Sequence, residues 1–338
     1  MNRSLGGLVL AGALGALGCD RGPIDEMGPF AADQRGVTGI VVEGTFVYWS
    51  LSDGSVRRRS VDGGAVETVV EGLTLPNQIA VDETHVYWTT LTGEIGRAPK
   101  AGGPAQTLAE GEGEGLNKIV GLQVDSTHVY WSRNQALDQE EQSEVKGQPK
   151  DGGAKEVLAS SPTDPFFSLT IVGSNLFWNA QREKDPLTGE YGGTVREIST
   201  DGDGERSFAD KLASPRSLTT NGQHLCWTSL DLSALDVDPT SSAQIITRAD
   251  LDGTGVRLIA SELKTIDAFV ADGANIYYST LGDETTEVAE LSSVPIDGGN
   301  PVVFATGPKG RTSIALDDLS IYWAHENGDT ILALPKSF

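Results

Sequence analysis

Few side chains in this sequence stand in patterns that could do chemistry. His85, His128 and His224 share one register, each three residues before a tryptophan (Trp88, Trp131 and Trp227). A metal ion needs ligands about 2 Å away, whereas equivalent positions on packed sheets stand about 10 Å apart. These histidines are therefore expected to pack on turns rather than converge. Polar residues recur six positions before an aromatic anchor, at Glu43, Asp82, Asp125, Asn221, Asp272 and Asp317. Such side chains accept hydrogen bonds from the N–H groups of their own turn, and repetition marks a folding role. Asp201-Gly202-Asp203-Gly204-Glu205 begins like a calcium loop, but Leu212 stands where the bidentate Glu would be needed. Cys226, between Leu225 and Trp227, reads as a buried, inert thiol. No nucleophile elbow, Walker loop, zincin helix or Cys-x-x-Cys is present, so no metal or cofactor is expected.

The elements that position these residues repeat. An aromatic or apolar pair recurs at Tyr48-Trp49, Tyr87-Trp88, Tyr130-Trp131, Phe177-Trp178, Cys226-Trp227, Tyr277-Tyr278 and Tyr322-Trp323, at intervals of 39, 43, 47, 49, 51 and 45 residues. Nine residues before each anchor lies an apolar residue: Ile40, Ile79, Leu122, Leu169, Leu218, Phe269 or Ile314. A third strand follows from Val56, Ile95, Val145, Val195, Ile246, Leu291 or Ile331, and six of these reach a turn glycine such as Gly63, Gly102 or Gly298. A fourth strand then carries Val69, Leu108, Leu158, Phe208, Ile259 or Phe304. Four strands, a to d, in about 40–50 residues is the period of a propeller blade. The expected fold is all-β: a seven-bladed β-propeller of four-stranded antiparallel blades. The seventh unit ends at Phe338 without a strand d. Phe30-Ala31 matches the missing strand in register, so the segment 27–32 is expected to complete the last blade and remove its open edge.

Tyr87-Trp88-Thr89, with Ile95-Gly96-Arg97 and Gly102-Gly103, resembles the YWTD repeat of lipoprotein-receptor-type propellers. Thr247-Arg248-Ala249-Asp250-Leu251-Asp252-Gly253 resembles that family's third strand and turn. The resemblance spans residues 37–338 and implies propeller architecture. That family has six blades, against seven here. Its Asp after Tyr-Trp-Thr is replaced by Thr90, and by Leu51, Arg133 or Ser229 in other units. The family's ligands and inter-blade Asp contacts are therefore not implied.

At the amino end, Met1–Gly18 carries a single charge, Arg3, before an apolar small-residue run. This reads as a secretory signal, too short to span a bilayer comfortably. Ala16-Leu17-Gly18-Cys19 resembles the bacterial lipobox. That resemblance implies a Cys19 that is lipidated and becomes the mature N-terminus, anchored by several acyl chains. Asp20 resembles an inner-membrane retention signal of some bacteria; an ordinary signal cut near Cys19 is the plainer alternative. The expected organisation is a signal peptide at 1–18, a lipidated N-terminus and tether at 19–26, and the propeller at 27–338. A lipid on Cys19 leaves Cys226 as the free thiol and no disulfide.

Asp and Glu number 48 against 25 Lys and Arg, a net charge of −23. That surplus excludes a phosphate backbone as partner and a polybasic membrane patch. The acid concentrates in the b–c connections of units three to six, spanning 132–144, 179–194, 228–244 and 279–290, which together hold 14 acids and 3 bases. Variable loops on a regular scaffold commonly bind. The candidate binding residues there are Asp138, Glu140, Glu141, Glu144, Asp231, Asp236, Asp238, Asp283, Glu284 and Glu287, facing a protein, a cation-rich polymer or divalent ions; the plainer alternative is a solubilising surface. The d–a segments, expected at the mouth of the central channel, offer Lys118, Arg216, Lys264, Lys309 and Arg311.

The resulting expectation is a monomeric, extracytoplasmic lipoprotein, periplasmic or on the outer face, held to the membrane through Cys19. Its propeller would bind a protein partner or a small anionic ligand and no nucleic acid. The alternative is a propeller enzyme, a lyase or hydrolase, acting at the channel. Catalysis needs convergent titratable groups. The d–a segments supply cations but no histidine and few acids, which favours binding.

Overall fold

The computed structural model describes residues 29–112, 119–134, 142–182, 191–237, 241–281 and 288–336. Their strands form seven four-stranded antiparallel sheets, a seven-bladed β-propeller. In the first blade, strands a to d are Val37–Glu43, Phe46–Leu51, Ser55–Ser60 and Gly63–Val70. The other blades repeat that order, with strand a innermost. No helix among the described residues is long and apolar enough to cross a membrane.

The aromatic pair explains why the blades close into a ring. Adjacent strand residues point to opposite faces, so each blade offers one large side chain to each neighbour. Tyr48 packs with Trp88, Tyr87 with Trp131, and Tyr130 with Trp178. Phe177 follows with Trp227, Cys226 with Tyr278, Tyr277 with Trp323, and Tyr322 with Trp49. The first member of each pair meets the second member of the next, around the whole circle. All six tryptophans are buried. Burying such a side chain stabilises by about 1.5–3 kcal/mol or more, and no blade can do so alone.

The recurrent acid has a second partner that sequence reasoning missed. Asp82 accepts the N–H groups of Thr84 and His85 at 2.7 and 2.8 Å, and its other oxygen accepts the Tyr87 hydroxyl at 2.7 Å. Asp125, Asp272 and Asp317 repeat this with Tyr130, Tyr277 and Tyr322. Where the aromatic hydroxyl is missing the acid is missing too: Val172 precedes Phe177, and Asn221 precedes Cys226. The residue after strand c of the next blade completes the seam. Lys150 reaches Asp82 at 2.5 Å, Lys336 reaches Asp272 at 2.9 Å, and Lys100 pairs with Glu43. Opposite apolar Val172 the same position is Leu251, in one cluster with it. Burial alone would raise the carboxyl of Asp82, but the Lys150 amine, the turn N–H groups and the Tyr87 hydroxyl together hold it well below the usual range.

The last blade takes its outer strand from the amino end. Ala31 pairs with Ile331 and Ala32 with Thr330, antiparallel. Phe30 is buried, edge-on to Tyr322 at 4.9 Å and to Trp49 at 6.4 Å. Gln34 then accepts hydrogen bonds from the Trp49 indole and from Arg57, both at 3.0 Å. Residues 27 and 28 of the expected strand lie outside the described residues.

Innermost strands approach one another closely. A Cβ added to Gly121 would stand 2.4 Å from the Leu169 Cβ and 2.8 Å from the Leu169 backbone nitrogen, in the next blade. Because backbone cannot yield as a flexible side chain does, Gly121→Ala is expected to cost about 1–3 kcal/mol, read as a lower urea midpoint at unchanged m-value.

Candidate functional site

The innermost strands enclose a central cavity of about 780 Å³. One position of each repeat, eleven residues before the anchor, lines it: Thr38, Asn77, Val120, Phe167, Arg216, Asp267 and Thr312. In several blades a β-bulge puts it there. Thr38, Val120 and Asp267 are the extra residues where the register of strand a shifts against strand b. A bulge re-aims a side chain out of the pleat, here toward the channel. Cross-blade hydrogen bonds tie the wall together. Thr38 donates to the carbonyl of Pro76 at 2.8 Å, and Ser168 to that of Arg216 at 2.9 Å. The backbone N–H of Thr312 donates to Asp267 at 2.5 Å, and the Thr312 hydroxyl donates at 3.0 Å. Burial pushes the Asp267 carboxyl up, against the pull of these bonds and of Arg311.

The charged side chains of the wall are Arg216, Arg311, Asp267 and Glu326. Arg216 also lies over the Phe167 ring, 5.7 Å from its centroid. Of the cations expected at the mouth, Arg216 and Arg311 line the cavity. Lys264 does not, because its amine turns to Glu290 at 2.9 Å. Lys309 is exposed and outside the lining, its carbonyl accepting from Asn327 at 3.3 Å. Lys118 lies outside the described residues. Asp267 and Glu326 went unrecognised in the sequence, although counting back eleven residues from Tyr278 identifies Asp267.

The acidic loop residues divide similarly. Glu144 belongs to strand c of its blade (Ser143–Pro149), where Arg133 at 2.7 Å and Lys146 at 3.0 Å neutralise it. Asp231 is buried, and its carboxylate accepts the N–H and hydroxyl of Ser233 at the start of the short helix Leu232–Val237. Both are absorbed by local structure rather than presented. Asp236 lies on that helix. Asp138, Glu140, Glu141, Asp238, Asp283, Glu284 and Glu287 lie outside the described residues, as does Cys19. Beside this face sits a buried carboxylate that the sequence did not reveal. Burial alone would raise Glu112, but Lys155, Lys146 at 2.9 Å and the Trp131 indole at 3.1 Å hold its pKa down.

The histidines behave as expected. His85 and His128 bond the hydroxyls of Thr84 and Thr127 at 2.8 Å. No group of three or more His, Cys, Asp or Glu able to hold a metal occurs among the described residues. Burial pushes the Cys226 thiol up to about 12. His325, 4.2 Å from the Trp323 ring, is held down at about 4 by burial, offset in part by the Pro308 carbonyl. Its folded pKa lies below the unfolded value of 6.5, so the unfolded chain takes up a proton first as pH falls. Stability is therefore expected to drop by about 3 kcal/mol between pH 6.5 and 4 from this group. Urea titrations of His325→Phe should show a flatter profile in that window.

With this geometry in hand, no known sequence family matches the chain, and no curated protein does. Solved structures match it over most of its length. A nidogen/laminin complex aligns at 18% identity and TM-score 0.52, covering 75% of this chain and 89% of that one. BamB from Moraxella catarrhalis aligns at 12% and 0.52, covering 89% and 84%. An oligogalacturonate lyase in complex with manganese aligns at 12% and 0.62, covering 90% of both. The likeness is one of fold.

Proposed function

We propose that this protein is an extracytoplasmic binding propeller, anchored to a membrane through lipid on Cys19, that captures a protein partner with one decorated face. The observation that carries the reading is the shared position of two features. The b–c connections and the channel mouth open on the same side: Ser52, Leu91, Leu281 and Glu326, from four b–c connections, line the cavity. The longer b–c connections belong to four consecutive blades, between Arg133 and Ser143, Ala180 and Gly193, Leu230 and Gln244, and Thr280 and Val288. They form one sector rather than a scatter, which suits a partner of protein size. One of the structural neighbours is a nidogen/laminin complex, so the architecture accommodates partner binding elsewhere.

The closing strand also sets orientation. Ala31 to Ala32 runs toward the b–c side of the last blade, pairing with Ile331 and then Thr330. The chain thus enters from the opposite face, the face of the short a–b and c–d turns. A tether on Cys19 holds that face toward the bilayer and turns the long loops away. To test the reading, envelope proteins would be captured on the mature protein and on a variant with the four long connections replaced by tight turns. Retention of a stoichiometric partner by the first and its loss by the second is expected. Equal capture by both would sink the loop-face reading.

A further inference from the structure

We propose that the channel mouth binds a small zwitterion, a molecule bearing both a carboxylate and an ammonium group, of the short free-peptide class. This site opens on the same face as the b–c connections, but the argument for it does not depend on the partner reading above.

The first argument is unpaired charge. In a chain of net charge −23, carboxylates are abundant. Arg57, Arg58, Arg133, Arg182, Arg196 and Arg248 each hold one. Arg216 and Arg311 hold no carboxylate at ion-pair distance among the described residues, a trait shared with Arg35, Arg59, Arg97 and Arg257, but unlike those they line the cavity, where Arg311 acts on Asp267 only at longer range. A guanidinium fork is built to take a carboxylate in two parallel hydrogen bonds. The second argument is the opposite sign beside them. Arg216, Asp267 and Arg311 open strand a of three successive blades, and Glu326 stands at the same mouth. The bulge at Asp267 spends backbone pairing to aim a carboxyl at the channel, and Thr312 occupies one of its oxygens. A plain anion would meet this carboxyl as a repulsive neighbour. A ligand that also carries an ammonium meets it as a partner. The third argument is strain and apolar surface. Leu75 and Ser168, both on the wall, adopt positive φ of 48° and 49°. Non-glycine residues rarely do so, and such strain gathers at ligand sites. Leu75 remains 47% exposed there and, with Leu91, Leu281 and Phe167, supplies apolar contact for a ligand's body. A cavity of about 780 Å³ is of the size that holds small ligands.

The test uses the full mature protein in detergent, with trialanine, its N-acetyl derivative and its C-terminal amide as probes, titrated by calorimetry. Trialanine is expected to bind, and blocking either terminus to weaken binding at least tenfold. Arg216→Gln, at an exposed side chain, should bring trialanine down toward the affinity of its amide. Asp267→Asn should bring it down toward that of the acetylated form. If Asp267→Asn fails to fold, Arg216→Gln and the blocked peptides decide the matter. Absence of trialanine binding would overturn the proposal. So would acetylated peptide binding as tightly as free peptide, or an Arg216→Gln protein with undiminished affinity.

Discussion

A mature chain lacking residues 20–32 is expected to unfold far below the intact one, in a single transition. The deletion removes Phe30, which is buried between Tyr322 and Trp49, and truncating a buried Phe alone costs about 3–5 kcal/mol. It also removes the pairing of Ala31 and Ala32 with strand c of the last blade and bares that edge. The loss cannot stay local, because each aromatic pair packs across a blade boundary and the seam between blades 7 and 1 holds Tyr322 against Trp49. Thermal melts followed by tryptophan fluorescence would report it, since all six tryptophans lie in these seams. A truncated chain that melts with the intact protein would show that the ring closes without its amino-terminal strand.

Cys19→Ala is expected to move the protein almost entirely from the membrane fraction to the soluble extracytoplasmic fraction. Several acyl chains on one cysteine give lasting attachment, whereas one chain gives only marginal binding. A net charge of −23 gives no basic surplus to hold the variant on anionic headgroups. Fractionation after a high-salt wash reads the result directly. Retention of the variant in membranes would refute lipid anchoring.

Architecture was legible in the sequence because it repeats. A tyrosine beside a tryptophan, both too large to face water, states that the strand is covered on both sides, and their recurrence states how often. The closing strand was legible because Phe30 stands in the same relation to Ile40 as Phe304 does to Ile314. The channel wall was harder to read. The segments 263–265 and 309–311 stop short of the wall residues Asp267 and Thr312, because bulges and variable turns shift where strand a begins. The constant distance back from the aromatic anchor was the usable signal. Charge in the loops misled for a different reason. Glu144 and Asp231 look free on paper, but a strand neighbour two residues away and a helix start claim them. The hydroxyl partner of Asp82, Asp125, Asp272 and Asp317 was also present in the sequence, as a tyrosine five residues on.

The short pairing that closes the ring is also the path of mechanical load. Any pull on the chain ahead of Phe30 reaches the propeller through Ala31 and Ala32, which lie alongside Ile331 and Thr330. Drawn along the strand, those hydrogen bonds are sheared together, with the Phe30 ring wedged behind them. Drawn away from the blade, they open one after another. A body tugged parallel to the strand axis would therefore hold, and the same body levered sideways would yield at its last blade first.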